Sequence, residues 1–100
     1  MKLNNNRKRI LAVLNQHGPC SNYKILRVLR ENKVPRDGQV TWNEHNVQAD
    51  ESNLRGGGHT EMEGKHKIEE EFHEEYGWQT KNRVIPYYKA ITKVNPEEWL

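Results

Sequence analysis

Two segments in the first third of the chain place their apolar residues at helical spacing. Residues 7–17 and 22–32 repeat apolar side chains at intervals of three and four, which gives a helix one buried stripe. Asn4 and Ser21 precede these segments as good N-cap residues, and Gly18 with the proline after it favours termination of the first helix. The pattern therefore predicts two amphipathic helices. Their apolar residues are Ile10, Leu11, Val13, Leu14, Ile25, Leu26, Val28 and Leu29.

The middle of the chain has few apolar positions. Residues 34–38 combine Pro with Asp-Gly and indicate a turn, and 39–42 could form a short strand. Residues 43–64 are polar and rich in glycine, and they contain too few apolar side chains to fix a long regular element. They predict a long flexible loop, in which a single helical turn around 44–49 stays open.

The last third predicts a helix followed by a hairpin. Three apolar residues recur at every fourth position between glutamates, which predicts a third, acidic helix over 65–76. Beyond the glycine that ends it, strands at 78–79 and 84–91 would be joined by a basic tip at 80–83. Residues 95–100 begin with Asn-Pro and two acids, a pattern typical of the first turn of a helix.

Composition limits the size of the core and indicates a compartment. The chain has 100 residues, 33% of them hydrophobic, so we expect one domain with a small core. A small core is often completed by a second copy, so a homodimer and a marginally stable monomer are both open. The single cysteine, Cys20, excludes an intramolecular disulfide, and the first residues lack the apolar run of a secretory signal. We therefore expect a cytoplasmic protein without a membrane partner.

Charge is distributed unevenly along the chain, although the net charge is only +2. Residues 1–36 contain nine basic and one acidic residue, 37–80 three basic and eleven acidic, and 81–100 four basic and two acidic. Such asymmetry indicates a surface that faces nucleic acid, an acidic surface that self-associates, or both.

About half of the chain resembles winged helix-turn-helix domains. The resemblance rests on RKRILAVL at 7–14 and GPCSNYKIL at 18–26, where a first helix ends at a Gly-Pro turn and a serine caps the second. The segment 76–91, with Lys81 and Arg83 near its tip, looks like the wing of that family. The resemblance implies a small α+β, winged-helix-like domain over 1–100 with two N-terminal helices, a third acidic helix and a C-terminal β-hairpin.

The resemblance also implies a function, namely a regulatory protein that binds double-stranded DNA and catalyses no reaction, of a kind frequent in phages and mobile elements. By order, 65–76 would be the recognition helix and would present its N-terminal residues to base edges. Its five glutamates depart from the family pattern, since phosphates repel them. The candidate nucleic-acid-binding residues are Arg7, Lys8, Arg9, Lys24, Arg27, Arg30, Lys65, His66, Lys67, Lys81 and Arg83.

The acidic segment supports a second hypothesis of another class. A protein-interaction module or inhibitor could use helix 65–76 to engage a basic protein partner or to mimic the charge of nucleic acid. The glycine triplet lacks the spacing of a phosphate-binding loop, and Cys20 has no identifiable base and orienting acid. We therefore expect no catalytic residue, no metal site and no cofactor.

Overall fold

Three helices, a two-stranded antiparallel sheet and a short last helix form a small α+β domain. The computed structural model describes residues 3–73 and 77–100, and their side chains except those of 67–73, 78 and 80–83. The elements are α1 (Asn5–His17), α2 (Asn22–Glu31), α3 (Glu44–Gly56), β1 (Thr60–His73), β2 (Gly77–Ala90) and α4 (Pro96–Trp99).

The first two helices confirm the sequence prediction. The side chain of Asn4 accepts a hydrogen bond from the backbone N–H of Arg7 at 2.9 Å, and Ser21 accepts from Lys24 at 3.1 Å. Each cap satisfies one of the amide groups that a helix start leaves unpaired. Gly18 ends α1 at φ 76°, a conformation that side chains with a Cβ rarely adopt. The apolar stripes of both helices are buried.

The predicted loop over 43–64 is wrong, because most of it forms α3 and the start of β1. The buried residues of α3 are Val47, Glu51 and Leu54, which recur at intervals of four and three as a helix requires. Glu51 occupies the middle of this stripe, so a carboxylate interrupts the apolar pattern on the buried side of the helix. Residues 39–42, predicted as a short strand, form bends and irregular backbone before α3.

The predicted third helix over 65–76 is also wrong. Residues 65–73 belong to β1, and 74–76 lie outside the described residues. A spacing of four places side chains on one face of a helix and equally on one face of a strand, so the apolar pattern fits both structures. The backbone of β1 pairs with β2, from Thr60 opposite Ala90 onwards, so this segment is a strand. Glu69, Glu70 and Glu71 therefore lie on a strand and do not form the helical face that the protein-interaction hypothesis assumed.

A hairpin is present, but its strands differ from the predicted ones. The predicted strands at 78–79 and 84–91 and the tip between them all belong to β2, except residue 91, which follows it. The pairing is irregular at residues 81–82, since Ile68 lies opposite Arg83 and Glu70 opposite Thr80. The predicted basic tip thus lies at a bulge within β2 and not at the reversal of the chain.

The hairpin is fixed to the helices through the turn after α1. Cys20 and Tyr88 exchange two backbone hydrogen bonds of 3.0 and 2.8 Å, so this turn pairs with β2. Ile85 and Tyr88 of β2 are buried, and α3 contacts β1. The main hydrophobic cluster consists of Ile10, Leu11, Val13, Leu14, Cys20, Ile25, Leu26, Val28, Leu29, Val34, Trp42, Val47 and Leu54.

The short helix α4 confirms the prediction for the last residues. The side chain of Asn95 accepts a hydrogen bond from the backbone N–H of Glu97 at 3.0 Å, and Pro96 begins the helix. Leu100 packs against the hydrophobic cluster, and α4 contacts α1. The end of the described chain therefore closes over the first helix.

The start of α3 offers a stability test. Asn43 and Asn46 form a capping box, in which each side-chain oxygen accepts from the other residue's backbone N–H at 2.9 and 3.0 Å. Asn43→Ala should lower the free energy of unfolding by about 1 kcal/mol, the usual value of a lost N-cap. The matched control is Asn53→Ala, at an exposed position in the body of α3. Urea denaturation measures both, and an equal loss in the two variants would contradict the assigned helix start.

Candidate nucleic-acid interface

The exposed side chains on the outward face of α3 include no carboxylate, lysine or arginine, and Glu44, the first residue of the helix, is half-buried at the edge of this face. The most exposed side chains of this face are those of His45, Gln48, Ala49, Ser52 and Asn53. Four of these five carry hydrogen-bond donors or acceptors, and alanine leaves room for a close approach. Phosphates would neither repel nor strongly attract such a face, so hydrogen bonding and shape would govern what binds there.

The two acids in the body of α3 point away from this face and pair with arginines. Asp50 Oδ1 lies 3.5 Å from Arg7 Nε on α1, and both side chains are largely buried. Glu51 is fully buried and accepts a hydrogen bond of 3.0 Å from Arg55 one turn later. The guanidinium of Arg55 lies over the ring of Tyr88, 4.7 Å from its centroid. These contacts join α3 to α1 and to β2.

Burial dominates the electrostatics of this cluster. It raises the pKa of Glu51, because the charged form loses its hydration, and Arg55 opposes that shift only in part. The hydrogen bond with Glu51 raises the pKa of Arg55. Burial, followed by the charge of Glu51, raises the pKa of Tyr88. Burial of the Glu51 carboxylate is therefore unfavourable in itself, although the carboxylate orients Arg55 across the ring of Tyr88.

The segment before α3 is anchored to α1. The side chain of Asn6 donates to the backbone oxygen of Asp37 at 2.9 Å and accepts from its N–H at 2.8 Å. Arg9 and Asn5 each donate to the Asp37 carboxylate at 3.0 Å, and these hydrogen bonds lower its pKa. At the far end of the segment, Trp42 is buried. The approach to α3 is therefore held at both ends.

An open groove lies beside the first turn of α3. It measures about 480 Å³ and separates the end of α2 from the outward face of α3. The residues that line it are Arg30, Thr41, Asn43, Glu44, His45 and Gln48. The groove therefore combines polar residues from α3 with an arginine from α2.

The predicted basic residues of α1 are engaged within the molecule. Arg7 faces Asp50, as described above. The Lys8 ammonium lies 5.2 Å from the centroid of the Trp99 ring, and the Arg9 guanidinium lies 5.9 Å from it. Such contacts hold cations against an aromatic face. A nucleic acid that binds these residues would have to compete with contacts already made.

The predicted residues of α2 differ among themselves. Lys24 is exposed, whereas Arg27 pairs with Glu31 at 2.9 Å. Arg30 donates to the backbone oxygen of Trp42 through two nitrogens, at 2.9 and 2.6 Å, and so also holds the segment before α3. Lys24 is therefore the predicted residue of α2 most accessible to a phosphate.

Lys65, His66 and Lys67 lie on β1 and not at the start of a helix, as their assigned role required, and Lys81 and Arg83, assigned to the hairpin tip, lie within β2. Lys65 is exposed on β1, and His66 Nε2 lies 2.8 Å from a carboxylate oxygen of Glu63. The side chains of Lys67, Lys81 and Arg83 lie outside the described ones, and their backbones belong to β1 and β2.

Sequence reasoning missed the polar face of α3, including His45, Gln48 and Ser52. These residues contribute neither strong charge nor apolar periodicity, the two patterns from which binding residues and helices are predicted. The pair Asn43 and Asn46 was a usable signal, since asparagine is among the best N-cap residues.

Comparison of the chain with protein-family models, curated proteins and solved structures gives no match. No helix in the described part of the chain has the length and apolar character needed to cross a lipid bilayer.

The buried carboxylate leads to a pH prediction. Because the folded-state pKa of Glu51 is raised above its ordinary value of 4.5, its stabilising effect is present below that value and is lost as pH rises through the folded pKa. Glu51→Gln should therefore gain stability relative to the wild type as pH rises from about 4 to 7. Thermal unfolding across this range tests it, with Glu97→Gln as the matched control. A stability difference that does not change with pH would contradict the assigned environment of Glu51.

Proposed function

We propose that this chain is a DNA-binding regulatory protein of the winged helix-turn-helix type and that it acts without catalysing a reaction. Three helices followed by an antiparallel hairpin support this class, together with the resemblance of 7–14 and 18–26 to the opening of such domains. In this proposal α3, and not 65–76, is the helix that reads bases, and the hairpin of β1 and β2 is the wing.

The composition of the outward face of α3 carries the proposal. A helix that enters a groove lies close to phosphates, so exposed carboxylates on it would be repelled. Asp50 and Glu51 are directed to Arg7 and Arg55, Glu44 at the helix start is half-buried, and the exposed side chains are uncharged or histidine. Glutamine pairs well with the major-groove edge of adenine, and serine with several base edges.

Duplex DNA is the partner that suits a helix of this kind. The 13 residues of α3 span about 20 Å, and the major groove of B-form DNA admits an α-helix. The major groove of A-form RNA is too deep and narrow for side chains to read. The proposed partner is therefore double-stranded DNA.

Cations near α3 supply the attraction that the polar face lacks. Lys24 on α2 and Lys33 after it are exposed, and Arg30 lines the groove beside α3. Contacts of lysine and arginine with phosphates position a protein on DNA, whereas base contacts determine the sequence that it prefers. The proposed division of roles is phosphate contact by α2 and the segment after it, and base contact by α3.

A carboxylate introduced on α3 tests the proposal. Ser52→Glu should weaken binding to a mixed-sequence duplex about tenfold or more at low salt, because it places a negative charge against phosphates. The matched control is Gln16→Glu on the exposed side of α1, which should change binding little. Fluorescence anisotropy with a labelled duplex of about two helical turns measures both variants. Equal weakening by the two substitutions would contradict α3 as the reading helix.

The salt dependence of binding tests the cation roles separately. The logarithm of the association constant should fall linearly with the logarithm of salt concentration. Lys24→Gln should make this slope shallower by about 1, the value expected for one lost phosphate contact. The same titration with Lys89→Gln, whose lysine pairs with Glu61 on the hairpin, provides the comparison. A wild-type protein that does not bind duplex DNA at low salt would overturn the proposed function.

A further inference from the structure

The outer edge of β1 is an unpaired sheet edge in the described part of the chain. The sheet there has two strands, and β1 pairs with β2 on one side. The outer edge of β2 is bridged at Tyr88 by Cys20, whereas no described strand or bridge lies along the outer edge of β1. An unpaired edge carries backbone N–H and C=O groups that can bond to another strand. With 14 residues in β1, this edge is longer than that of most strands.

The backbone of β1 follows a regular course over 64–73. One irregularity of the pairing adds Glu63 to β1, before this stretch, and the other adds a residue to β2, at 81–82. A bulge bends the strand that contains the extra residue. At the start of the regular stretch, Lys65 and His66 are exposed. The stretch therefore offers a partner strand a regular edge that begins in solvent.

Charges along this stretch are arranged symmetrically about Ile68. Two lysines and a histidine precede it, and three glutamates follow it. If two copies of β1 run antiparallel with Ile68 opposite Ile68, each basic residue lies opposite a glutamate. The facing pairs are Lys65 with Glu71, His66 with Glu70 and Lys67 with Glu69.

This complementarity selects one pairing among several. Charged residues on an edge strand usually oppose association, but opposite charges that face each other across strands stabilise a sheet. A register displaced by one residue would leave a lysine opposite an uncharged residue, either Lys67 opposite Ile68 or Lys65 opposite Phe72. A parallel pairing in register would place like charges opposite each other, which is destabilising.

We propose that a second copy of this chain binds along the outer edge of β1, antiparallel and related by a two-fold axis at Ile68. The two hairpins then form one four-stranded sheet, in which the outer edge of each β1 bonds to the other copy. Both copies use the same edge, so the assembly closes as a dimer. The pairing also gives a role to the glutamates of 69–71, which phosphates would repel.

The dimer has a consequence for DNA binding, and this part rests on the proposed function. A two-fold axis relates the α3 helices of the two copies, so the preferred DNA site would be an inverted repeat. Self-association itself is measured without DNA. Its failure is therefore distinct from failure of the proposed function.

Sedimentation equilibrium of the full chain tests the association. A single pair of strands is a small interface, so we expect a dimer Kd of about 1–100 µM at low salt. Raising the salt concentration from about 0.05 to 0.5 M should weaken the dimer about tenfold or more, because salt screens the facing charges. A protein that stays monomeric up to about 500 µM, or one that associates beyond the dimer, would overturn the proposal.

Charge-reversed variants test the complementarity. Lys65→Glu with Lys67→Glu, and separately Glu69→Lys with Glu71→Lys, place like charges at the facing positions, so each variant alone should dimerise at least about a hundredfold more weakly. In an equimolar mixture opposite charges face each other again, and the dimer should return.

The matched control reverses two exposed lysines away from this edge, Lys24→Glu with Lys33→Glu, and should dimerise as the wild type does. Wild-type association of either edge variant alone, or a mixture that stays monomeric although both variants unfold cooperatively, would contradict the assigned pairing.

Substituted cysteines test the register even if the charge-reversed variants do not fold. Ile68→Cys brings two thiols to facing positions, where Cα atoms lie about 4.5–5.5 Å apart and a disulfide can form. Glu71→Cys is the control, because its two copies would lie about 20 Å apart along the strands. Burial raises the pKa of the Cys20 thiol to about 11, so this residue stays unreactive.

Mild oxidation should therefore convert the Ile68→Cys protein, and not the Glu71→Cys protein, into a covalent dimer on a non-reducing gel. Equal crosslinking of the two variants, or none in either, would overturn the two-fold pairing at Ile68.

Discussion

The pairing of acidic residues on α3 with arginines on either side is the interaction on which the functional account depends. Asp50 faces Arg7, and the buried Glu51 holds Arg55 against the ring of Tyr88. Burial of a carboxylate is costly, as the raised pKa of Glu51 indicates. Together with Val47 and Leu54, Glu51 forms the buried side of α3, so that Asp50 and Glu51 face inward and the exposed side of the helix carries no carboxylate.

The rest of the molecule supports this helix from two directions. The segment from Asp37 to Trp42 leads into α3, and hydrogen bonds between Asn6 and Asp37 anchor its first residue to α1. On the other side, the backbone bonds between Cys20 and Tyr88 join the turn after α1 to the hairpin. Because the hairpin also contacts α3, the helix is held between α1 and β1. A preorganised helix loses less freedom on binding than a mobile one would.

The sequence predicted the elements that follow simple rules and missed those that do not. The stripes and caps of α1 and α2 agree between sequence and structure, as does the short last helix. The helix α3 was missed because Glu51 replaces an apolar residue in its buried stripe. The strand over 65–73 was mistaken for a helix because a spacing of four fits both periods. For the same reasons the proposed base-reading residues are those of α3 and not 65–67. In α3, Asp50 pairs with Arg7 across the fold and Glu51 is buried, and neither the long-range pairing nor the burial is visible in the local sequence.

The most direct measurement of the central claim is an NMR map of the residues that duplex DNA touches. A ¹⁵N-labelled protein would be titrated with a mixed-sequence duplex at low salt, and the shift of each amide would be recorded. If α3 reads the bases, the largest changes fall on its exposed residues, from His45 to Asn53, with smaller ones near Lys24 and Lys33. Changes confined to the hairpin or to α1, with the amides of α3 unmoved, would contradict this role of α3.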